Sequence, residues 1–257
     1  MAVLALEEES KNHTGSLKAI ILAGGKGTRA KPFTDYFPKA MIPVSGSPLI
    51  SHVVRYLSSS KLVSEIIIVA DIAGLGGQIK NYLENSPKIR FVQDSGSGTA
   101  GDLLHLDKTL GGEPFFLWFV DNLGAVNLEK MYKHFVEKNS IACVATRQYR
   151  KEETGFAKVS AGIVTEFIEK PLVKMPNFEC TGIYVIHGKI IELIKAKFRT
   201  KKNVNLSFDI LQGLSKKGLV SAFDIKNTPW LDVESPAVLE RNDKVVKKII
   251  KQMGHRV

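Results

Sequence analysis

The chain holds two cysteines in 257 residues, and its 26 acidic side chains are outnumbered by 36 lysines and arginines. No apolar run approaches the roughly 18 residues that a membrane span requires, so no membrane partner is expected. Cys143 and Cys180 show no CxxC spacing and lie in apolar, strand-like runs. That argues against zinc and against a disulfide framework, and for buried, reduced thiols in a cytoplasmic protein. Met1 to Leu6 is apolar, but Glu7, Glu8 and Glu9 follow where a signal peptide would stay hydrophobic. Residues 1–16 therefore read as a disordered tail and not an address. There is no linker rich in Pro, Gly or Ser, no internal repeat and no low-complexity segment, so residues 17–257 read as a single domain. The net charge of +10 suits either a nucleic-acid binder or an enzyme with polyanionic small substrates. The basic series at Lys195 to Lys202 and Lys244 to Lys251 looks like wet helix faces. It is not interleaved with aromatics, so no nucleic-acid partner is expected.

What is present is an alternation of apolar runs with helical patterns. Strands are expected at Lys18 to Leu22, Glu65 to Ala70, Ile89 to Gln93, Phe115 to Val120, Ile141 to Thr146, Cys180 to Ile186 and Val220 to Asp224. Helices are expected from Ser47-Pro48, over Gln78 to Glu84, Thr99 to Leu110, Leu128 to Glu137, Lys189 to Ala196 and Phe208 to Lys216, and from Ser235. Phe156 to Val159 and Val164 to Ile168 flank a turn and read as a hairpin. The alternation predicts an α/β fold, a three-layer doubly wound and mostly parallel sheet with helices on both faces. Residues 17–147 form one half, and 148–257 a smaller mixed β/α lobe built onto the same sheet.

The strongest local signal is Leu22-Ala23-Gly24-Gly25-Lys26-Gly27-Thr28-Arg29, directly after a buried strand. Glycines there let backbone N–H groups approach phosphate oxygens at the carboxyl end of a strand, where open α/β sheets bind ligands. A P-loop is excluded because Lys26 is followed by Gly27 and not by a hydroxyl residue. Gly25, Gly27 and Ala30 satisfy a dinucleotide fingerprint formally. Pro32 would then sit early in the helix, and Pro43 to Leu62 offers no carboxylate for a ribose. The loop continues through Lys31-Pro32-Phe33-Thr34, Phe37-Pro38-Lys39 and Ile42-Pro43-Val44, a path stiffened by prolines that carries fixed cations.

Lys18 to Val44 resembles the signature of the sugar-phosphate nucleotidylyltransferases, GGxGTRLxPLTxxxPKxxxPV, with Ala30 and Phe33 replacing two leucines. The likeness runs from about Leu17 to Val246 and implies a Rossmann-like nucleotidyltransferase fold. The implied reaction joins a nucleoside triphosphate to a hexose 1-phosphate and releases pyrophosphate, with magnesium as cofactor and those two molecules as partners. It leaves a homo-oligomer open. By the same resemblance Arg29 holds the leaving pyrophosphate and Lys39 the α-phosphoryl group. Leu22, Ala23, Gly24, Gly25, Gly27 and Thr28 line the nucleotide, and Asp121 and Asp232 hold the metal. Gln93 reads the edge of a pyrimidine, which favours UTP or dTTP, and Gly98-Thr99 packs on the base. Gly155, Glu169, Lys170 and Thr181 match the sugar-phosphate elements.

The chain departs from the family pattern at Val120 before the first metal aspartate, and at Glu234 and Ser235, which replace Gly-Thr after the second. It departs also at Cys180, in place of an asparagine, and at Asp102, in place of a small apolar residue. Two rival readings remain: an inactive nucleotide-sugar-binding regulatory subunit, and a mannose-1-phosphate guanylyltransferase or cytidylyltransferase relative. Taken singly, Gln93 also reads as a polar strand end, and Glu169-Lys170 as an ordinary surface pair.

Overall fold

The computed structural model describes residues 16–86 and 88–254. The expected tail lies, from residue 1 to 15, outside the described residues.

The chain opens with β1 (Leu17–Leu22), and three 3-10 turns then carry it to the short pair β2 (Pro43–Val44) and β3 (Ser47–Pro48). Next come α1 (Leu49–Ser59), β4 (Val63–Ala70), α2 (Gly77–Leu83) and β5 (Ile89–Gln93). They are followed by α3 (Thr99–His105), α4 (Asp107–Leu110), β6 (Phe115–Phe119), β7 (Asn122–Gly124) and α5 (Leu128–Glu137). The later part holds β8 (Ala142–Lys151), the hairpin β9 (Phe156–Ser160) and β10 (Ile163–Ile168), β11 (Leu172–Ile186) and α6 (Ile190–Phe198). A π-helical turn (Leu206–Leu211) leads into α7 (Gln212–Ser215), β12 (Val220–Asp224), β13 (Trp230–Asp232), α8 (Pro236–Arg241) and α9 (Asp243–Gln252).

Seven strands form the central sheet in the order β12-β8-β11-β6-β1-β4-β5. Every pairing is parallel except those of β11, which runs antiparallel to both β6 and β8. The mostly parallel doubly wound sheet is the expected architecture, and strands from both halves of the chain share it. Alternation along each strand sends side chains to opposite faces. Ile21, Ile66, Ile68, Phe116 and Trp118 pack under α1 and α5 on one side. Ile20, Leu22, Ile67, Phe115 and Leu117 pack under α3 and α6 on the other. Strands buried on both faces read as continuous apolar runs, which is why β1, β4 and β6 were legible.

A third, smaller cluster ties the long loop to the short strands. Val246, Ile249 and Ile250 of α9 press Ala30, Ile42 and Val44 of the long loop against Leu123 and Val233. One buried contact thus fixes the glycine-rich loop relative to β7 and β13.

Several elements differ from expectation for local reasons. The helix expected over Thr99 to Leu110 is interrupted at Leu106, where the cap N–H bonds back to Leu103 and Leu104. Ser47-Pro48 pairs with β2 as β3 and leads directly into α1 as expected, with Pro48 and not Ser47 at the cap position. β11 starts eight residues before Cys180 and β8 runs on to Lys151, because the two extend each other as an antiparallel ribbon. The closing helix is split, and its first piece is only α8. Cys143 is buried as expected, whereas Cys180 is exposed. No helix among the described residues is long and apolar enough to cross a membrane.

Trp118 is fully buried, and its indole N–H donates to the Asn122 carbonyl at 2.7 Å. Trp118→Ala is therefore expected to lower the unfolding free energy by about 3–5 kcal/mol, measured by urea titration.

Candidate active site

The glycine loop starts where β1 leaves the sheet. Ala23 still donates to Val69 O at 2.8 Å, and the next residues cross the carboxyl ends of the strands. Gly27 sits at φ +59, and a Cβ there would come within 2.8 Å of the Thr34 methyl, so glycine is required both by conformation and by space. The Thr34 hydroxyl donates to Gly27 O at 2.9 Å and folds the loop back on itself. A cleft of about 400 Å³ results, lined by Ala23, Gly24, Gly25, Lys26 and Thr28 on one wall and Asp71 on another. Asp94 was not foreseen at this place. Its carboxylate lies so close over Gly24 that a Cβ there would overlap Oδ2 at 1.6 Å.

Opposite the loop, β6 ends and Asp121 follows. The Trp118 indole and the Asn122 carbonyl lock the turn into β7, which pairs with β13 so that Asn122 faces Asp232. Val233 N donates to Asp121 O at 2.7 Å. The fold thus brings two carboxylates 111 positions apart in sequence to one place, residues 121 and 232. Lys39 Nζ reaches across from the loop and bonds Asp121 Oδ2 at 2.7 Å, while the Asn122 amide donates to Asp121 Oδ1 at 2.9 Å. Asp232 Oδ1 is buried and accepts no hydrogen bond. Burial first, and then the negative charge of Asp121, push the Asp232 carboxyl up to about 6.

Burying a carboxylate oxygen with no donor is costly, and setting it beside a second carboxylate costs more. Both costs fall if a cation sits there, so the pair fits magnesium, which takes one or two carboxylates and shares the remaining positions with phosphate and water. Among the described residues no group of three or more His, Cys, Asp and Glu side chains that could hold a metal gathers. Arg29, also on the loop, makes an ion pair with Glu234 just beyond β13.

The other candidates are placed differently. Gln93 is exposed, and both ends of its amide are engaged: Oε1 accepts from Ala73 N at 3.0 Å and Nε2 donates to Asp71 at 3.0 Å. Gly98, at φ +83, lies against Val204 O, and Thr99 Oγ1 accepts from Leu206 N at 2.9 Å, so this turn docks on residues 203–206. Gly155 and Glu169 meet at the base of the β9–β10 hairpin, where a Cβ on Gly155 would lie 2.9 Å from Glu169 Oε2. Lys170 follows at φ +47, exposed.

Thr181 lies inside the sheet. It is fully buried and its hydroxyl donates to Ala145 O at 2.9 Å. Its neighbour Gly182 explains the motif better. At φ +70, a Cβ there would meet the Asn122 amide at 2.4 Å, so glycine makes room for the group that holds Asp121. Asn122, like Asp94, is a residue of this region that sequence reasoning missed, and its only signal was adjacency to Asp121. A separate cleft of about 840 Å³ opens beside Asp232 and Glu234, with Trp230 in its wall. The Arg147 guanidinium lies 4.4 Å over that ring and bonds Glu179 at 2.7 Å.

Residues 18–247 match the nucleotidyl transferase family, and the chain belongs to it. Among curated relatives it is 28% identical over 236 residues to the bifunctional protein GlmU of Methanocaldococcus jannaschii, covering 91% of this chain and 55% of that protein. It is 24% identical over 228 residues to mannose-1-phosphate guanyltransferase beta-A of Xenopus laevis, covering 86% of this chain and 62% of that protein. The chain therefore spans little more than half the length of the curated relatives it matches. Its fold is shared with the inositol-1-phosphate CTP transferase structure from T. maritima, at TM-score 0.67 and 22% identity over 95% of this chain and 99% of that one.

Magnesium is expected to raise the thermal stability of the protein, by about 1.4 kcal/mol at ten times its dissociation constant. Asp232→Asn should abolish that response, as read by melting curves with and without the ion.

Proposed function

We propose that this chain is a sugar-phosphate nucleotidylyltransferase that transfers a nucleoside monophosphate from UTP or dTTP to a hexose 1-phosphate and releases pyrophosphate. The observation that carries this reading is the convergence of Lys39, Asp121 and Asp232 opposite the glycine loop, with a buried carboxylate oxygen that lacks a donor.

A phosphate oxygen of the sugar 1-phosphate attacks the α-phosphorus, and pyrophosphate leaves in line with the attack. The attacking phosphate has a second pKa of about 6, so it is largely ionised at neutral pH and needs no general base. The protein's work is positioning and charge neutralisation. Backbone N–H groups of Gly24 to Gly27 approach the phosphates from the loop. Lys39 stands close enough to the acidic pair to meet charge that builds at the α-phosphoryl group. Arg29, further out on the same loop, takes the leaving pyrophosphate. Magnesium held by Asp121 and Asp232 would supply further neutralisation and align the phosphate oxygens. Glu169 and the Gly155 backbone would hold the hexose, and Lys170 its phosphate.

The base is proposed through Gln93, whose amide offers a donor and an acceptor to the imide edge of uracil or thymine. Its bonds to Asp71 and to Ala73 N are exposed and exchangeable. That same engagement favours a second reading, in which Gln93 orders residues 71–73 and the base is selected by the 98–101 turn. Guanylyl transfer, as named for the Xenopus relative, then becomes the alternative. An inactive regulatory subunit gains no support, because Arg29, Lys39, Asp121 and Asp232 are all present.

The test is a matrix of the four ribonucleoside triphosphates and dTTP against glucose 1-phosphate and mannose 1-phosphate, scored by magnesium-dependent pyrophosphate release. UTP or dTTP should dominate, and release from no combination would overturn the proposal. Arg29→Ala and Lys39→Ala should each lower turnover about 10²–10³-fold with folding unchanged, the usual effect of removing one preorganised donor. Gln93→Ala should cut the preference for UTP over GTP by up to about tenfold, the worth of one hydrogen bond, with less effect on turnover. An unchanged preference would favour the second reading.

A further inference from the structure

Glu234 has no place in the proposed metal set, yet its carboxylate takes the guanidinium of Arg29. The contact joins two segments 205 positions apart, and their backbones are held together independently of it. Ala30, next to Arg29, and Val233, next to Glu234, are both buried in the small cluster under α9. The two charged side chains therefore project from neighbouring fixed points, which lowers the entropy lost in pairing them. Both loop cations given a phosphate role are met in this way. Lys39 bonds Asp121 and Arg29 bonds Glu234, each acid coming from the β7–β13 unit or its flank.

We infer that Glu234 is a positioning residue for Arg29, and this rests on the role proposed above for that arginine. With no polyphosphate bound, Glu234 holds the guanidinium at the edge of the site. A triphosphate displaces the carboxylate, because the planar fork of the guanidinium accepts either a carboxylate or a phosphate but cannot serve both fully. When pyrophosphate has formed, Glu234 competes for the same fork and favours its departure. No bond is made or broken beyond these exchanges of hydrogen-bond partners. The side chains of Arg29 and Glu234 are 69% and 40% exposed, so water screens the pair and its effect is modest.

The experiment measures inorganic pyrophosphate on the full chain in two ways: as a product inhibitor, and by direct calorimetric titration with magnesium. Glu234→Gln is expected to tighten pyrophosphate about two- to fivefold, the worth of an exposed ion pair. It should lower KM for the triphosphate by a similar factor and leave KM for the sugar 1-phosphate unchanged. In an Arg29→Ala background the same substitution should do nothing. Unchanged pyrophosphate affinity in Glu234→Gln would overturn the inference. So would an equal tightening without Arg29, which would make Glu234 a general repulsive charge. A changed magnesium affinity with unchanged pyrophosphate affinity would overturn it too, by making Glu234 a metal group. Because calorimetry needs no turnover, a chain that binds pyrophosphate as expected but transfers nothing would sink the transferase reading alone.

Discussion

Three ladder positions between β7 and β13 hold the candidate site together. That pairing sets Asp232 opposite Asn122 and so beside Asp121. Two carboxylates, one with a buried oxygen and no donor, are an unfavourable arrangement that a protein keeps only where surrounding structure enforces it. The enforcement here is specific. The Trp118 indole fixes the β6–β7 turn through the Asn122 carbonyl, the Asn122 amide holds Asp121, and Gly182 leaves the space that amide occupies.

The positive side of the site is held by a different part of the core. Arg29 and Lys39 belong to a loop of 3-10 turns with no regular sheet partner, and such a loop by itself would fix neither cation. Ala30, Ile42 and Val44 bury it against Leu123 and Val233, with α9 closing over them. Through these apolar contacts α9 sets how far the cations stand from the acids. The apolar cluster and the part-buried ion pair between Lys39 and Asp121 support one another.

Long buried strands and the glycine loop were legible in sequence because each has a local cause. Continuous Ile, Leu, Val and Phe marks strands covered on both faces, and Gly24, Gly25 and Gly27 break the chain where β1 ends. What was not legible depends on contacts across the chain. β7 and β13 are three residues each, too short for any periodicity, so the meeting of Asp121 and Asp232 could come only from the fold. Glu234 read only as a departure from the family pattern; it sets negative charge beside Asp232 and, through the fold, also meets Arg29. Thr181 matched a family element by type alone, and only the fold shows that its hydroxyl turns to Ala145 O and that Gly182 leaves space for the Asn122 amide. Cys180 lies at an irregularity in the β8–β11 register, and its exposure followed from that and not from its apolar surroundings.

The central claim is a single in-line displacement at the α-phosphorus, with no protein group becoming bonded to it. Stereochemistry at that atom tests it most directly. A nucleoside triphosphate made chiral at the α-phosphorus with sulfur and isotopic oxygen is turned over with a hexose 1-phosphate, and the configuration of the nucleotide sugar is read by phosphorus NMR. Inversion is the predicted result. Retention would mean two successive displacements through a nucleotidylated side chain, and would contradict the account.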